Sequence, residues 1–226
     1  MPKPEKIETI MERRPSWDFL QNLPEEMFGF TLQEGGQLNR NEFTLASYVN
    51  EDWHRRLDLI YTKETFDYVP VRQAGLLRYR DLRYITRDKD VFAKNITQVL
   101  PRLLEETTPD YLPRSGHMLK SKGILDWAFP DTLPDRIGSF VKFIGPRHPL
   151  DFINNSTVIL DYVDFACGNE LVFLYNRARN EFFAENKKAF IPNTIHDFDA
   201  LKLETLENLI REKLETYLLA LENKKT

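Results

Sequence analysis

Residues 17–27 read Trp17-Asp-Phe-Leu-Gln-Asn-Leu-Pro-Glu-Glu-Met27, and the same framework returns 110 residues later as Trp127-Ala-Phe-Pro-Asp-Thr-Leu-Pro-Asp-Arg-Ile137. Beyond this stretch the spacing becomes 114, because Tyr48 corresponds to Tyr162 and Phe92 to Leu206. One insertion of four residues accounts for the change in spacing. An internal repeat of this length decides the fold, since each copy is expected to build the same unit.

The pattern within each copy predicts an α+β fold of two tandem related units. Each unit is expected to have a short N-terminal helix, three to four antiparallel strands and a long C-terminal helix packed on the sheet. The predicted units are residues 1–110 and 117–226, with the option that both pack as one compact body. The segment between them contains two prolines and no periodicity, which is typical of a linker.

The second unit contains the most apolar predicted hairpin, from Val158 to Tyr175 around Gly168-Asn169. Its strands have apolar residues on both faces, which indicates that both faces are covered. The matching strands of the first unit carry Thr44, Ser47, Asn50 and Asp58, so we expect these strands to be half exposed.

Composition restricts the class of protein. Of the 226 residues 42% are hydrophobic, which is enough for a core, and the net charge of -4 disfavours a protein that coats nucleic acid. No leader-like or membrane-spanning apolar run occurs, and the single Cys167 excludes an internal disulfide and a cysteine-based zinc site. We expect a cytoplasmic bacterial protein with no cofactor and no metal site.

A polar cluster in the second hairpin and just after it contains candidates for catalysis. Arg177 and Arg179 could bind a carboxylate or phosphate through their forked donors, with Asp161 or Glu181 as a base or metal ligand. The alternative is a charged turn with ion pairs across the strands.

A second cluster is basic and aromatic, and it predicts a binding surface in the first unit. Its candidate residues are Arg72, Arg78, Arg80, Arg83, Tyr79 and Tyr84. Arginine and tyrosine side chains together can hold phosphates and stack on bases. The alternative is a solvated edge strand whose charge discourages pairing with another sheet.

No catalytic motif or nucleotide-binding loop accompanies these clusters. We therefore predict a non-enzymatic protein-interaction module of the adaptor, chaperone-like or immunity-like kind, whose partner is another protein. The first alternative is an enzyme, for example a hydrolase, with its carboxylate and arginine site between the units. The second alternative is nucleic-acid binding through the arginine-rich strand. Residues that only one copy possesses are where a function should be sought.

Overall fold

The computed structural model describes residues 6–113 and 115–223. The chain divides into two compact units, Met1–Tyr111 and Leu112–Thr226. None of the helices within the described ranges has the length and apolar character needed to cross a membrane.

The first unit begins with two short helices, continues through seven strands and ends in a long helix. Its helices are α1 (Ile7–Arg13), α2 (Asp18–Gln21) and α3 (Lys89–Glu105). Its strands are β1 (Glu26–Met27), β2 (Phe30–Glu34), β3 (Leu38–Asn39), β4 (Glu42–Asn50), β5 (Arg55–Thr62), β6 (Tyr68–Ala74) and β7 (Leu77–Arg80).

The second unit has one short helix, seven strands and the longest helix. The helices are α4 (Gly116–Ser121) and α5 (Leu203–Asn223). The strands are β8 (Arg136–Ile137), β9 (Phe140–Ile144), β10 (Leu150–Asp151), β11 (Ser156–Asp164), β12 (Asn169–Asn176), β13 (Glu181–Lys188) and β14 (Ile191–Thr194).

The predicted architecture of two helix-and-sheet units with three to four strands each is wrong. The structure has two antiparallel sheets of seven strands, and only α3 and α5 are long helices among the described residues. The sheet orders are β1-β2-β4-β5-β6-β7, with β3 beside β4, and β8-β9-β11-β12-β13-β14, with β10 beside β11. Four of the additional strands have two residues, which is too short to produce an alternating apolar pattern.

Each sheet has one face covered by its long helix. Phe92, Ile96 and Leu100 of α3 are buried in one apolar core with residues of β2, β4 and β5. Leu206, Ile210 and Leu214 of α5 belong to a second core with residues of β11, β12 and β13. The start of α3 is fixed by Asp88, whose carboxylate accepts hydrogen bonds from the N–H groups of Asp90 and Val91. Asp88 is therefore the N-cap of α3.

The central strands of both sheets are buried. Every residue of β11 and β12 is buried, in agreement with their two apolar faces. The expectation that the first-unit strands are half exposed is wrong, since Thr44, Ser47 and Asp58 are also buried and only Asn50, at the end of β4, is partly exposed among these four. The Ser47 hydroxyl donates to Asp58 at 2.7 Å and accepts from Arg56 at 2.8 Å. These bonds satisfy polar groups that would otherwise make burial costly.

Candidate functional site

The arginine-rich cluster of the first unit is held in ion pairs. Arg72, on β6, bonds to Asp81 at 2.9 Å and also to Glu106, just after α3. Arg83 reaches the same two carboxylates at 2.6 Å each, and Arg102 binds Glu106 at 2.7 Å. Burial acts to raise the pKa of Glu106, but its bonds to Arg83 and Arg72 outweigh burial and lower the pKa to about 2. The network therefore fastens the end of α3 to the sheet.

The other candidates of this cluster have similar partners. Arg78 and Arg80 both pair with Glu42, at 2.7 and 2.9 Å. Tyr79 lies opposite Arg72 in the ladder between β6 and β7, and the Arg83 guanidinium lies 5.3 Å from the centre of the Tyr84 ring. Because carboxylates neutralise these arginines, the cluster presents much less positive charge to a nucleic acid than the sequence suggests.

The four candidates for catalysis fall into three separate groups. Arg177 pairs with Asp151 at 2.6 Å, whereas Arg179 pairs with Glu181 at 3.0 Å. Asp161 lies opposite Val172 in the ladder between β11 and β12. Val172 precedes Arg177 by five residues, so Asp161 and Arg177 are about 16 Å apart along the strand direction. The structure does not bring these four side chains together.

Asp161 belongs instead to a buried acidic pair with Glu170. It is 0% exposed, and its carboxylate oxygens have no hydrogen-bond partner among the described residues. Burial and the nearby Glu170 raise the pKa of Asp161 well above its usual range. Burial also raises the pKa of Glu170, although Lys187 donates to it at 2.6 Å. A carboxyl group with no exposed surface is poorly placed to act on a substrate.

The two sheets differ at the turn between β13 and β14. We call this turn the Phe190 turn (residues 189–191). Lys188 pairs with Ile191, so Ala189 and Phe190 are the two loop residues. Their φ angles are +48° and +67°, the left-handed values of a type I′ turn, where asparagine and glycine are preferred. Among the described residues this is the only consecutive left-handed pair that contains neither glycine nor asparagine.

The Phe190 turn places large apolar side chains in solvent. Phe190 is 65% exposed and Ile191 is 69% exposed. The Phe190 ring lies over Gly168, where a Cβ atom would approach the ring to 2.5 Å. The backbone N–H groups of Ala189 and Phe190 donate to Asn169 and Gly168 at 3.0 and 2.8 Å. These contacts hold the turn in a backbone conformation that costs about 1–3 kcal/mol per residue.

The first unit has a simpler turn at the corresponding place. Gly75 and Leu76 stand 114 residues before Ala189 and Phe190 and connect β6 to β7. Gly75 has a φ of +58°, which glycine adopts without a steric cost. Sequence reasoning missed this site, although the exchange of glycine for alanine between the copies was a signal that could have revealed it.

A groove of about 570 Å³ lies beside the Phe190 turn, between β14 and the last turns of α5. Ile191 and Pro192 line one side, and Tyr217, Ala220 and Leu221 line the other. Asn186, Lys188 and Asn193 add polar groups to the lining. Asn186 is 6% exposed and donates to the Tyr217 hydroxyl at 2.6 Å, whereas its side-chain carbonyl oxygen has no partner among the described residues.

The outer edge of β14 is poorly suited to main-chain pairing. With a loop of two residues, the backbone groups of Ile191 and Asn193 face β13, so those of Pro192 and Thr194 face outward. Proline has no N–H group, and it is tolerated on an edge strand for this reason. A partner at this site would therefore be bound by side chains.

The described ranges contain no group of three or more histidine, cysteine or acidic side chains arranged to hold a metal ion. Comparison with known proteins gives no match to a family model, to a curated protein or to a solved structure. The functional argument therefore depends on the geometry of the Phe190 turn and its groove.

Proposed function

We propose that the chain is a non-enzymatic protein-interaction module of the cytoplasm, of the adaptor, chaperone-like or immunity-like kind. Its contact site is the Phe190 turn together with the adjacent groove. The observation that carries the proposal is the exposure of Phe190 on a turn whose backbone is unfavourable for both loop residues. A strained conformation that a glycine would relieve indicates that the side chain itself has a role.

The energetics favour binding to another protein. Burying a phenylalanine or isoleucine side chain contributes about 1.5–3 kcal/mol. Aromatic side chains are also frequent among the few residues that dominate binding energy at interfaces. The groove offers further apolar surface beside Ile191, and Lys188 and Asn193 offer polar groups. This combination of an apolar centre and a few polar groups is typical of an interface.

The test is cross-linking in living cells with a photoreactive amino acid in place of Ile191. We expect a discrete adduct with one partner protein, and we expect it to disappear when Ala189 and Phe190 are replaced by Asn and Gly. The matched control carries the photoreactive residue in place of Leu82 of the first unit, which is 66% exposed.

Two results would contradict the proposal. The first is the same set of adducts from the Ile191 and Leu82 positions, which would indicate random encounters. The second is an adduct that persists in the Asn-Gly variant, which would show that Phe190 does not contribute to binding.

A further inference from the structure

A cavity of about 810 Å³ lies against the second sheet, and its lining includes residues of β12, β13, β14 and the segment before α5. Leu174, Phe183 and Ile195 give it apolar surface. Glu185 of β13, which is half-buried, lines it as well. We call this cavity the Glu185 pocket. Among the described residues it shares no lining residue with the groove beside the Phe190 turn.

Glu185 differs from the other acidic residues of the pocket in having no partner. Glu181 pairs with Arg179 at 3.0 Å, and the Asp199 carboxylate lies 2.8 Å from the Nδ1 atom of His196. The Glu185 side chain makes no hydrogen bond or ion pair with another described residue. Its negative charge is therefore available to a ligand in the pocket.

The first sheet places its acidic residue differently at the equivalent position. Glu185 lies opposite Val172 in the ladder between β12 and β13, whereas Val71 lies opposite Asp58 in the ladder between β5 and β6. Both pairs are separated by 114 residues, so valine and the acidic residue have exchanged strands between the units.

The first unit also provides cations for its acidic residue, and the second unit does not. Asp58 pairs with Arg56 and lies 3.8 Å from Arg78. The residues that stand 114 positions later are Glu170 and Pro192, which occupy the same ladder positions and carry no positive charge.

The replacement of Arg56 by Glu170 puts two carboxylates on one face of the second sheet. Residues that alternate along a strand share a face, as do partners across a ladder, so Glu170 and Glu185 lie on the face of Val172. Burial raises the pKa of Glu170, Lys187 opposes this by its bond at 2.6 Å, and the negative charge of Glu185 adds to the rise. A cation beside Glu185 would offset this repulsion between the two carboxylates.

We infer that the Glu185 pocket binds a small organic amine, with one protonated amino group on an apolar body. An ammonium group donates charge-assisted hydrogen bonds to a carboxylate, which are stronger than neutral ones. The apolar body is buried against side chains such as Phe183 and Leu174. The volume lies within the range of about 300–1,000 Å³ that is usual for ligand sites.

Two observations restrict the cation further. A metal ion needs several ligating side chains, and the described ranges gather no group of three or more that could hold one. Lys202 lines the pocket and is exposed, so a second positive charge on the ligand would be repelled. A ligand with a single ammonium group fits both conditions.

The test uses the full chain, labelled with nitrogen-15, and three probes that share one ring and a short chain. These probes are phenethylamine, which is protonated at neutral pH, the neutral 2-phenylethanol and the anionic 3-phenylpropionate. We expect saturable shifts of the amide signals of Phe183 and Glu185 with the amine, affinity about tenfold lower for the alcohol, and no saturable binding of the acid. Added salt should weaken the binding of the amine, because it screens the charges.

Substitutions then separate the carboxylate from general attraction to an acidic protein. Glu185→Gln should lower the affinity for phenethylamine by about tenfold and leave that for 2-phenylethanol unchanged. The matched control is Glu215→Gln, an exposed glutamate of α5 outside the pocket lining, which should leave both affinities unchanged. Unfolding curves check that each variant folds.

The variant with Asn and Gly in place of Ala189 and Phe190 should bind the amine as the original chain does, because the pocket is independent of the Phe190 turn. Three results would overturn the inference: no saturable shifts with phenethylamine, equal binding of the amine and the acid, or an equal loss of affinity in the Glu185 and Glu215 variants.

Discussion

The Tyr162 hydroxyl donates a hydrogen bond to the backbone carbonyl of Pro134 at 2.6 Å, and Tyr48 makes the corresponding bond to Pro24 at 2.8 Å. In both units a buried tyrosine of a central strand thus fixes the Leu-Pro segment that precedes the first strand. Burial raises the pKa of each tyrosine to about 12, so both hydroxyls keep their protons at neutral pH.

The first prediction concerns these two bonds. Tyr48→Phe and Tyr162→Phe should each lower the free energy of unfolding by about 0.5–1.5 kcal/mol, since each leaves a carbonyl without its donor. Urea titration followed by fluorescence measures the change. A pair of substitutions with no effect would show that the Leu-Pro segments are held by apolar contacts alone.

The second prediction concerns the buried Asp161. Since its pKa is higher in the folded protein than in the unfolded chain, its contribution to stability is present at low pH and is lost as pH rises through the folded pKa. Asp161→Asn removes this loss and should raise the free energy of unfolding at pH 7 by about 1–3 kcal/mol. The advantage should shrink as the pH is lowered toward about 4, the unfolded value for an aspartate.

Asp164, on the same strand, provides a control for which the expected change in the free energy of unfolding has the opposite sign. Burial acts to raise its pKa, but bonds from the Cys167 N–H at 3.1 Å and the Ser139 hydroxyl at 2.9 Å outweigh burial and lower it. Asp164→Asn should therefore destabilise the protein at pH 7. If both substitutions shift the melting temperature in the same direction, the assigned protonation of Asp161 is wrong.

The third prediction concerns Glu106, where Arg72, Arg83 and Arg102 converge. Its stabilising effect is present above the unfolded pKa of about 4.3 and is lost as pH falls toward the folded value of about 2. Glu106→Gln should cost about 3–5 kcal/mol at pH 7, because it leaves buried Arg72 with too little compensating charge.

Glu42→Gln is the comparison for this network, since Glu42 pairs with Arg78 and Arg80 in a more exposed position. It should cost about 1 kcal/mol or less. Thermal unfolding at several pH values measures both variants, and equal costs would contradict the structural role given to Glu106.

The fourth prediction concerns the Phe190 turn. Replacing Ala189 and Phe190 by Asn and Gly supplies the preferred residues of a type I′ turn and should raise the free energy of unfolding by about 1 kcal/mol or more. The same variant is expected to lose its binding to the partner protein proposed for the Phe190 turn. A variant that is less stable than the original chain would show that the Phe190 ring on Gly168 stabilises the fold more than the turn strains it.

The sequence predicted long regular elements best. The hairpin of β11 and β12 was visible in the sequence, because its apolar pattern and its turn at Gly168-Asn169 depend on neighbouring residues. Two-residue strands such as β1 and β8 depend on their partners across the sheet and carry no period of their own.

The electrostatic roles were less predictable. Arg72 and Glu106 are 34 residues apart and their pairing follows from the tertiary fold, so the sequence alone showed only an excess of arginine. The Phe190 turn was missed for the opposite reason, because it lacks the glycine or asparagine that marks such a turn. Comparison of the two copies narrows the search for functional residues, since Gly75 is the residue that the first unit has where the second unit has Ala189.

Pro192 has a consequence for the protein at high concentration. Exposed apolar side chains next to an open sheet edge are a hazard, because identical chains can add strand to strand and grow into fibres. Because Pro192 has no backbone N–H group, the outer edge of β14 offers one hydrogen-bond donor fewer to an added strand. This donor is missing next to the exposed side chains of Phe190 and Ile191, which would favour such an association. Replacing it by an ordinary β-forming residue would leave the fold intact and make fibre formation the main risk of storing the protein.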